Sequence, residues 1–261
     1  MKRNLTFNLL FDIAAASVLI FILLPLVSTI FSTTPAAFVA SFQDPEVIRS
    51  IVLTFSAASV ATIIALFGGI PLAYILARRH FWGKRLVEAL VNLPIVIPHT
   101  AAGVALLLVF GRYGLLGGLF EKIGITFIDS FAGIVVAMLF VSIPFLVNLS
   151  RDSFALIDEE MEKVAQTDGA TRWQAFFHVT LPQAWAGVLG GAVMMWARGI
   201  SEFGAVVILA YHPKVVPVLV FERFEGYGLA AAQPIALFLI LVAFIVFFAL
   251  RLFLLPGEKK S

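Results

Sequence analysis

The residues in this 261-residue chain that could do chemistry lie inside long apolar runs. Arg198 and Glu202 stand four apart, the spacing that puts two side chains on one face of a helix. Asn92, Pro94, Pro98, His99 and Thr100 crowd one short stretch, and Ser201 adjoins Glu202. Polar groups at membrane depth are costly and usually face a bundle interior or a water-filled path. Each proline deletes a backbone hydrogen bond and tends to kink a helix. The freed carbonyls are tolerated where they line a cavity or meet neighbouring protein. The stretch from Asn92 to Thr100 therefore suits a translocation path and gate, and equally a kink made only for packing. For Arg198 and Glu202 the simpler reading is a buried ion pair that neutralises both charges, within the chain or across a dimer interface. With no cysteine there is no thiol nucleophile or thiolate metal site. His80, His99, His178 and His212 are too scattered for a metal site, and no HExxH, GxSxG or Walker A pattern occurs. No catalytic residue and no cofactor bound by this chain are expected, and any ATP hydrolysis must come from a partner.

The elements that hold these residues follow from composition. The chain is 61% hydrophobic and 13% charged, against roughly 45–50% and about 25% in soluble domains. That balance excludes a disordered chain or a basic nucleic-acid binder, makes a water-soluble enzyme improbable, and makes lipid the main solvent. Spanning helices need about 20 mainly apolar residues. Six runs qualify, at about 7–31, 51–77, 86–110, 131–149, 185–211 and 230–255. They are too long, and too apolar on all sides, for barrel strands. Orientation follows from basic residues in the connections. With the N-terminus inside, Lys2, Arg3, Arg78, Arg79, Lys84, Arg85, Arg151, Lys163, Arg172, Arg251, Lys259 and Lys260 are cytoplasmic. Only Arg49, Arg112, Lys122, Lys214 and Arg223 fall outside, which places both termini in the cytoplasm. The first run exceeds a secretory h-region, so retention as a span is expected. The expectation is an all-α, multi-pass cell-membrane protein forming one polytopic domain.

The longest connection, 150–184, is the informative one. Asp158 caps a short helix with Glu159 and Glu160 in its first turn, where carboxylates meet the positive dipole end. Ile157, Met161, Val164 and Ala165 recur at helical spacing. Gly169 is the expected stop. Thr171 and Gln174 make a capping-box pattern for a second short helix, which Leu181-Pro182 ends. Such a pair either lies on headgroups and the protein's own underside or docks a cytoplasmic partner in a groove.

Glu162 to Ala170, followed by Phe176 to Pro182, resembles the EAA loop of ABC-importer permeases. Ala165, Gly169, Ala170, Leu181 and Pro182 match that pattern, while Lys163 stands where the family most often has its glutamate and Glu162 comes one position earlier. Gly69 to Arg78 with Gly83-Lys84, and Leu93 to Thr100 with Gly103, are similar to the permease core. Trp196 to Val207 resembles the fifth span of molybdate, tungstate and sulfate permeases, and His99 with Tyr211-His212-Pro213 looks like the archaeal-type molybdate/tungstate branch.

The resemblance implies a type I importer permease fold with cytoplasmic coupling helices around Glu162, Ala165, Gly169, Ala170, Phe176, Leu181 and Pro182. It implies a homodimer of this chain, two cytoplasmic ABC ATPase subunits using ATP and Mg, and an extracellular or periplasmic oxyanion-binding protein. Transport would be import by alternating access, with Arg198 or the Ser201 hydroxyl as contacts for an oxyanion in transit. A stand-alone secondary transporter predicts repeated halves and gradient-matched charges; an intramembrane enzyme predicts paired catalytic groups inside spans. Neither pattern is visible.

Overall fold

The computed structural model describes residues 5–254, and every regular element in that range is helical. Lys2, Arg3, Leu255, Lys259 and Lys260 lie outside the described residues. In chain order the helices are α1 (Leu5–Ser32), α2 (Pro35–Gln43), α3 (Pro45–Arg78), α4 (Lys84–Val96), α5 (His99–Phe110), α6 (Gly117–Glu121) and α7 (Phe131–Ala155). They continue as α8 (Glu159–Thr167), α9 (Arg172–Ala175), α10 (Leu181–Ile200), α11 (Gly204–Leu209), α12 (Val216–Tyr227) and α13 (Leu229–Leu254).

Four helical stretches are long and apolar enough to cross a membrane: Phe7–Ser32, Pro45–Arg78, Phe131–Ala155 and Leu229–Leu250. The run 86–110 is not one straight helix. It breaks at Ile97-Pro98, where α4 and α5 meet at 114°, and together they qualify as a fifth, broken span. The cause is local: the residue before a proline is pushed out of the helical region, and Ile97 is extended with ψ 147°. Pro94, by contrast, sits inside α4 without ending it. The run 185–211 is broken as well, because α10 stops at Ile200 and α11 starts only at Gly204. Hydropathy registers neither break, since both flanks stay apolar.

The core forms around α7, which packs against α3 on one side and α10 on the other. Ala57, Ala61, Ala65, Gly69 and Ala73 make a small-residue stripe at four-residue intervals along α3, all buried. Such a stripe lets helix backbones approach closely. On α10, a Cβ at Gly187 would overlap the Ser153 hydroxyl of α7. Hydroxyls along α3 are satisfied by carbonyls one turn back: Thr54 donates to Ser50 O at 2.6 Å and Thr62 to Ala58 O at 2.8 Å. Helix α1 buries none of its apolar window within the chain. A helix apolar on all sides needs lipid or another chain around it.

Candidate functional site

Two assemblies carry the singled-out residues. The first is the loop between α7 and α10. Asp158 accepts the Glu160 N–H at 2.9 Å and starts α8. The helix ends at Gly169, whose φ of +97° is cheap only for glycine. A Cβ there would meet nothing within 4 Å, so the dihedral rather than space demands glycine. The turn closes with Asp168 N–H on Val164 O and Ala170 N–H on Ala165 O, each at 3.0 Å. Thr171 and Gln174 form the expected reciprocal capping box: Gln174 N–H donates to Thr171 Oγ1 at 3.3 Å and Thr171 N–H to Gln174 Oε1 at 2.8 Å.

One expectation for this loop is corrected. Leu181-Pro182 does not end the second helix. Helix α9 runs through a single π turn, Phe176–Thr180, directly into α10, and Pro182 lies in the first turn of α10. Proline has no N–H and its ring clashes with the carbonyl four residues back. The wider π turn, with Leu181 N–H reaching Phe176 O, absorbs that clash without breaking the rod.

Glu162 is buried, and its carboxylate points back into the protein. Oε2 accepts the Tyr74 hydroxyl at 2.7 Å. Oε1 accepts Arg78 Nε at 3.1 Å and the Thr180 hydroxyl at 2.7 Å. Arg78 also donates to Ile157 O at 2.8 Å. One carboxylate thus ties α8 to the C-terminal end of α3 and to the π turn leading into α10. Phe176 packs on Tyr74 with ring centroids 4.9 Å apart. Lys163 points the other way, exposed and paired with Glu160 at 2.6 Å; that hydrogen bond raises its pKa. Met161, Val164, Trp173 and Phe177 are exposed apolar side chains on the same loop, and Trp173 and Phe177 stack at 5.7 Å.

The second assembly forms where the two helix breaks meet. Glu202 is 1% exposed. Its Oε2 lies 2.6 Å from His99 Nδ1 and 3.0 Å from Arg198 Nη2, and its Oε1 accepts the Ala205 N–H at 2.8 Å. Arg198 Nη2 also lies against the His99 ring, 2.7 Å from Nδ1 and 2.9 Å from Nε2. Arg198 Nη1 donates to Ser201 Oγ at 3.2 Å. The ion pair is therefore formed within one chain and shared by a third group across the breaks. Gly204 permits the approach, since a Cβ there would stand 2.7 Å from His99 Cβ. Pro98 and Thr100 flank His99 and are exposed.

Asn92 and Pro94 are not part of this assembly. Asn92 accepts Asn148 Nδ2 at 2.6 Å and donates to Glu88 O, and Pro94 is buried in α4. Tyr74, Arg78, Thr180 and Asn148 are the residues that sequence reasoning missed as partners, and only Arg78 carried a signal, as a cytoplasmic cation. At the opposite end, Lys214 pairs with Glu222 at 2.6 Å and Glu46 at 3.0 Å, and Arg223 pairs with Glu46 at 2.8 Å and Asp44 at 3.3 Å.

Residues 69–255 match the family described as the binding-protein-dependent transport system inner membrane component. The chain belongs to this family. It is a multi-pass membrane component of such a system, and the cytoplasmic membrane is its location. The matched range contains both assemblies in full. A molybdate/tungstate transport system permease protein of Thermococcus kodakarensis is 44% identical over 85% of this chain and 84% of its own length. One of the same description from Methanocaldococcus jannaschii is 41% identical over 95% and 96%. The fold is shared with a bacterial ABC transporter that imports the acidic polysaccharide alginate: TM-score 0.73, 20% identity, 96% of this chain and 95% of that one. Family members of this kind are permease subunits, so ATP hydrolysis is not the work of this chain.

Proposed function

We propose that this chain is the pore subunit of an ATP-driven importer that moves molybdate or tungstate from an extracellular binding protein into the cytoplasm. Two copies build the pore, each with six spans: α1, α3, the bent pair α4–α5, α7, the interrupted α10–α11, and α13. Both termini are cytoplasmic, as is the loop 150–184. Each of two ABC ATPase subunits, which use ATP and Mg, receives the exposed α8–α9 elbow. The observation that carries this reading is the build of that elbow. Its apolar side chains face outward from a frame that Glu162 fixes to α3 and α10. Movement of the elbow is therefore movement of two spanning elements, which is what alternating access requires.

His99, Arg198, Ser201 and Glu202 form the gate region in this reading. Glu202 neutralises Arg198 and is itself fully hydrogen-bonded, so no strong anion trap stands there. A conduction path needs weak contacts, because the ion must leave. The substrate assignment is supported by the naming of the relatives at 41–46% identity. Sulfate is the second reading, favoured by a probable sulfate transport permease of Chlorokybus atmophyticus at 31% identity.

The test is ATPase activity of the complex that co-purifies with this chain, in liposomes, with binding protein loaded with molybdate, tungstate or sulfate. Stimulation by the first two alone is expected. Stimulation by sulfate alone would replace the substrate.

A further inference from the structure

A cavity of about 570 Å³ lies between the inner end of α3 and the α8–α9 elbow. Arg78, Arg79 and Arg172 line it, with Gln166 and Trp173; Pro71 and Ile75 form an apolar wall. Arg78 is offset by Glu162 at 3.1 Å and, more distantly, by Glu159 at 4.0 Å. Arg78 is 9% exposed, and its Nη2 is buried with no hydrogen-bond partner among the described residues. Arg79 and Arg172 carry no ion pair among the described residues, and both are exposed. The site therefore keeps a surplus of positive charge, carried at its surface by Arg79 and Arg172.

The depth of the cavity narrows what that acceptor is. Arg78 ends α3, and Ile75 and Pro71 lie one and two turns further into the span, about 5 and 10 Å deeper at 1.5 Å per residue. Just past Arg79, Trp82 is 100% exposed between His80 and Lys84-Arg85. An exposed tryptophan among cations is the mark of the headgroup layer on the cytoplasmic side. The cavity therefore straddles the boundary between headgroups and acyl chains, with cations at one level and an apolar wall at the other. Basic pockets between spanning helices at this depth hold anionic headgroups.

We propose that this cavity binds an anionic phospholipid. Its phosphate meets the exposed Arg79 and Arg172, and its acyl chain lies along Pro71 and Ile75. Because Arg79 caps the end of α3 and Arg172 opens α9, the bound lipid braces the elbow. The site rests on the membrane placement given under Proposed function and is independent of the transported ion.

The test is native mass spectrometry of the purified complex after exchange into phosphatidylcholine vesicles with or without phosphatidylglycerol. Retained phosphatidylglycerol is the readout, and binding-protein-stimulated ATPase is measured in parallel. Arg79→Gln and Arg172→Gln should each weaken retention about fivefold, the equivalent of about 1 kcal/mol per cation at the membrane surface. Arg172→Lys should retain most of it, and Arg112→Gln should change nothing. Stimulated ATPase should rise with phosphatidylglycerol in the parent and less in the Gln variants. Equal retention in parent and Gln variants would overturn the site. So would restoration of activity by inorganic phosphate alone, which would make the ligand a soluble anion. Loss of ATPase co-purification in the Gln variants with retention unchanged would assign the cavity to the ATPase instead. Failure of any ATPase to co-purify with the parent would count against the importer reading, while lipid retention would still be read.

Discussion

Glu202 shows how a single residue can set two consequences at once. Its carboxylate is shared by Arg198 from α10 and His99 from α5, so removing Arg198 leaves a buried anion held only by histidine and one backbone N–H. Breaking a buried pair by deleting one partner costs more than deleting both. Arg198→Ala is expected to lower thermal stability in detergent by up to about 3 kcal/mol, discounted because Arg198 keeps some exposure. The double variant Arg198→Ala/Glu202→Ala should recover part of that loss. Equal damage in both would mean that Arg198 acts by contact with something else. Gly169 is the opposite case, a residue with open space around it and a demanding backbone. Gly169→Trp should strain the turn by roughly 1–2 kcal/mol, leave the spans folded, and cut uptake while the protein still inserts. Normal uptake with normal assembly would show that the turn geometry is not used in coupling. Gly169, Asp158 and the Thr171–Gln174 box were legible in the sequence because capping is a local affair. Glu162 was legible as a loop residue but not as a strut. Tyr74 and Arg78 lie on another helix, far away in sequence, and no local pattern announces them.

At the scale of elements, the helices divide by what interrupts them. Apolar length identified the runs, and the prolines between Asn92 and Thr100 announced a kink. Hydropathy could not announce that the kink is a 114° break, or that the second break at 201–203 faces it, because both are matters of backbone direction. The pairing of His99 with Glu202 joins elements that only the packed structure brings together. At the end of the bundle away from the elbow, Lys214, Glu222, Glu46 and Arg223 clamp the segment before and within α12 to the start of α3. The hydrogen bond to Glu222 raises the pKa of Lys214, and the same bond first of all lowers that of Glu222. A raised lysine stabilises below its unfolded value and loses that contribution as pH climbs through the folded one. A lowered carboxylate stabilises above its unfolded value and loses that contribution as pH falls through the folded one. The clamp is thus intact across neutral pH and opens at both extremes. Thermal stability should be flat near neutrality and fall in strong acid and strong alkali. Lys214→Met should flatten both limbs, by on the order of 1 kcal/mol or less for such partly exposed pairs. Unchanged limbs in Lys214→Met would place the pH response elsewhere.

At the scale of the whole molecule, the chain is a bundle organised around α7 with its working parts at the joints. The elbow at α8–α9 hangs from the C-terminal end of α3 and the N-terminal end of α10, and the charged triad sits where α5 and α11 begin. Helix α1, apolar on every side, lies against little of its own chain, which leaves its surface to lipid or another chain. The membrane class and the capped helices of the loop could be read from the sequence because composition and periodicity are sums over neighbours. What joins the elbow to the spans could not, since it depends on contacts between distant helices. The central claim is that this chain conducts an oxyanion inward only when a partner ATPase works on its elbow. The most direct measurement is uptake of labelled tungstate into liposomes holding the complex, with binding protein outside and ATP sealed inside or omitted. Uptake that requires both ATP and binding protein, and that disappears in Gly169→Trp, is the predicted result. Uptake that proceeds without ATP would contradict the account and make the chain a transporter working alone.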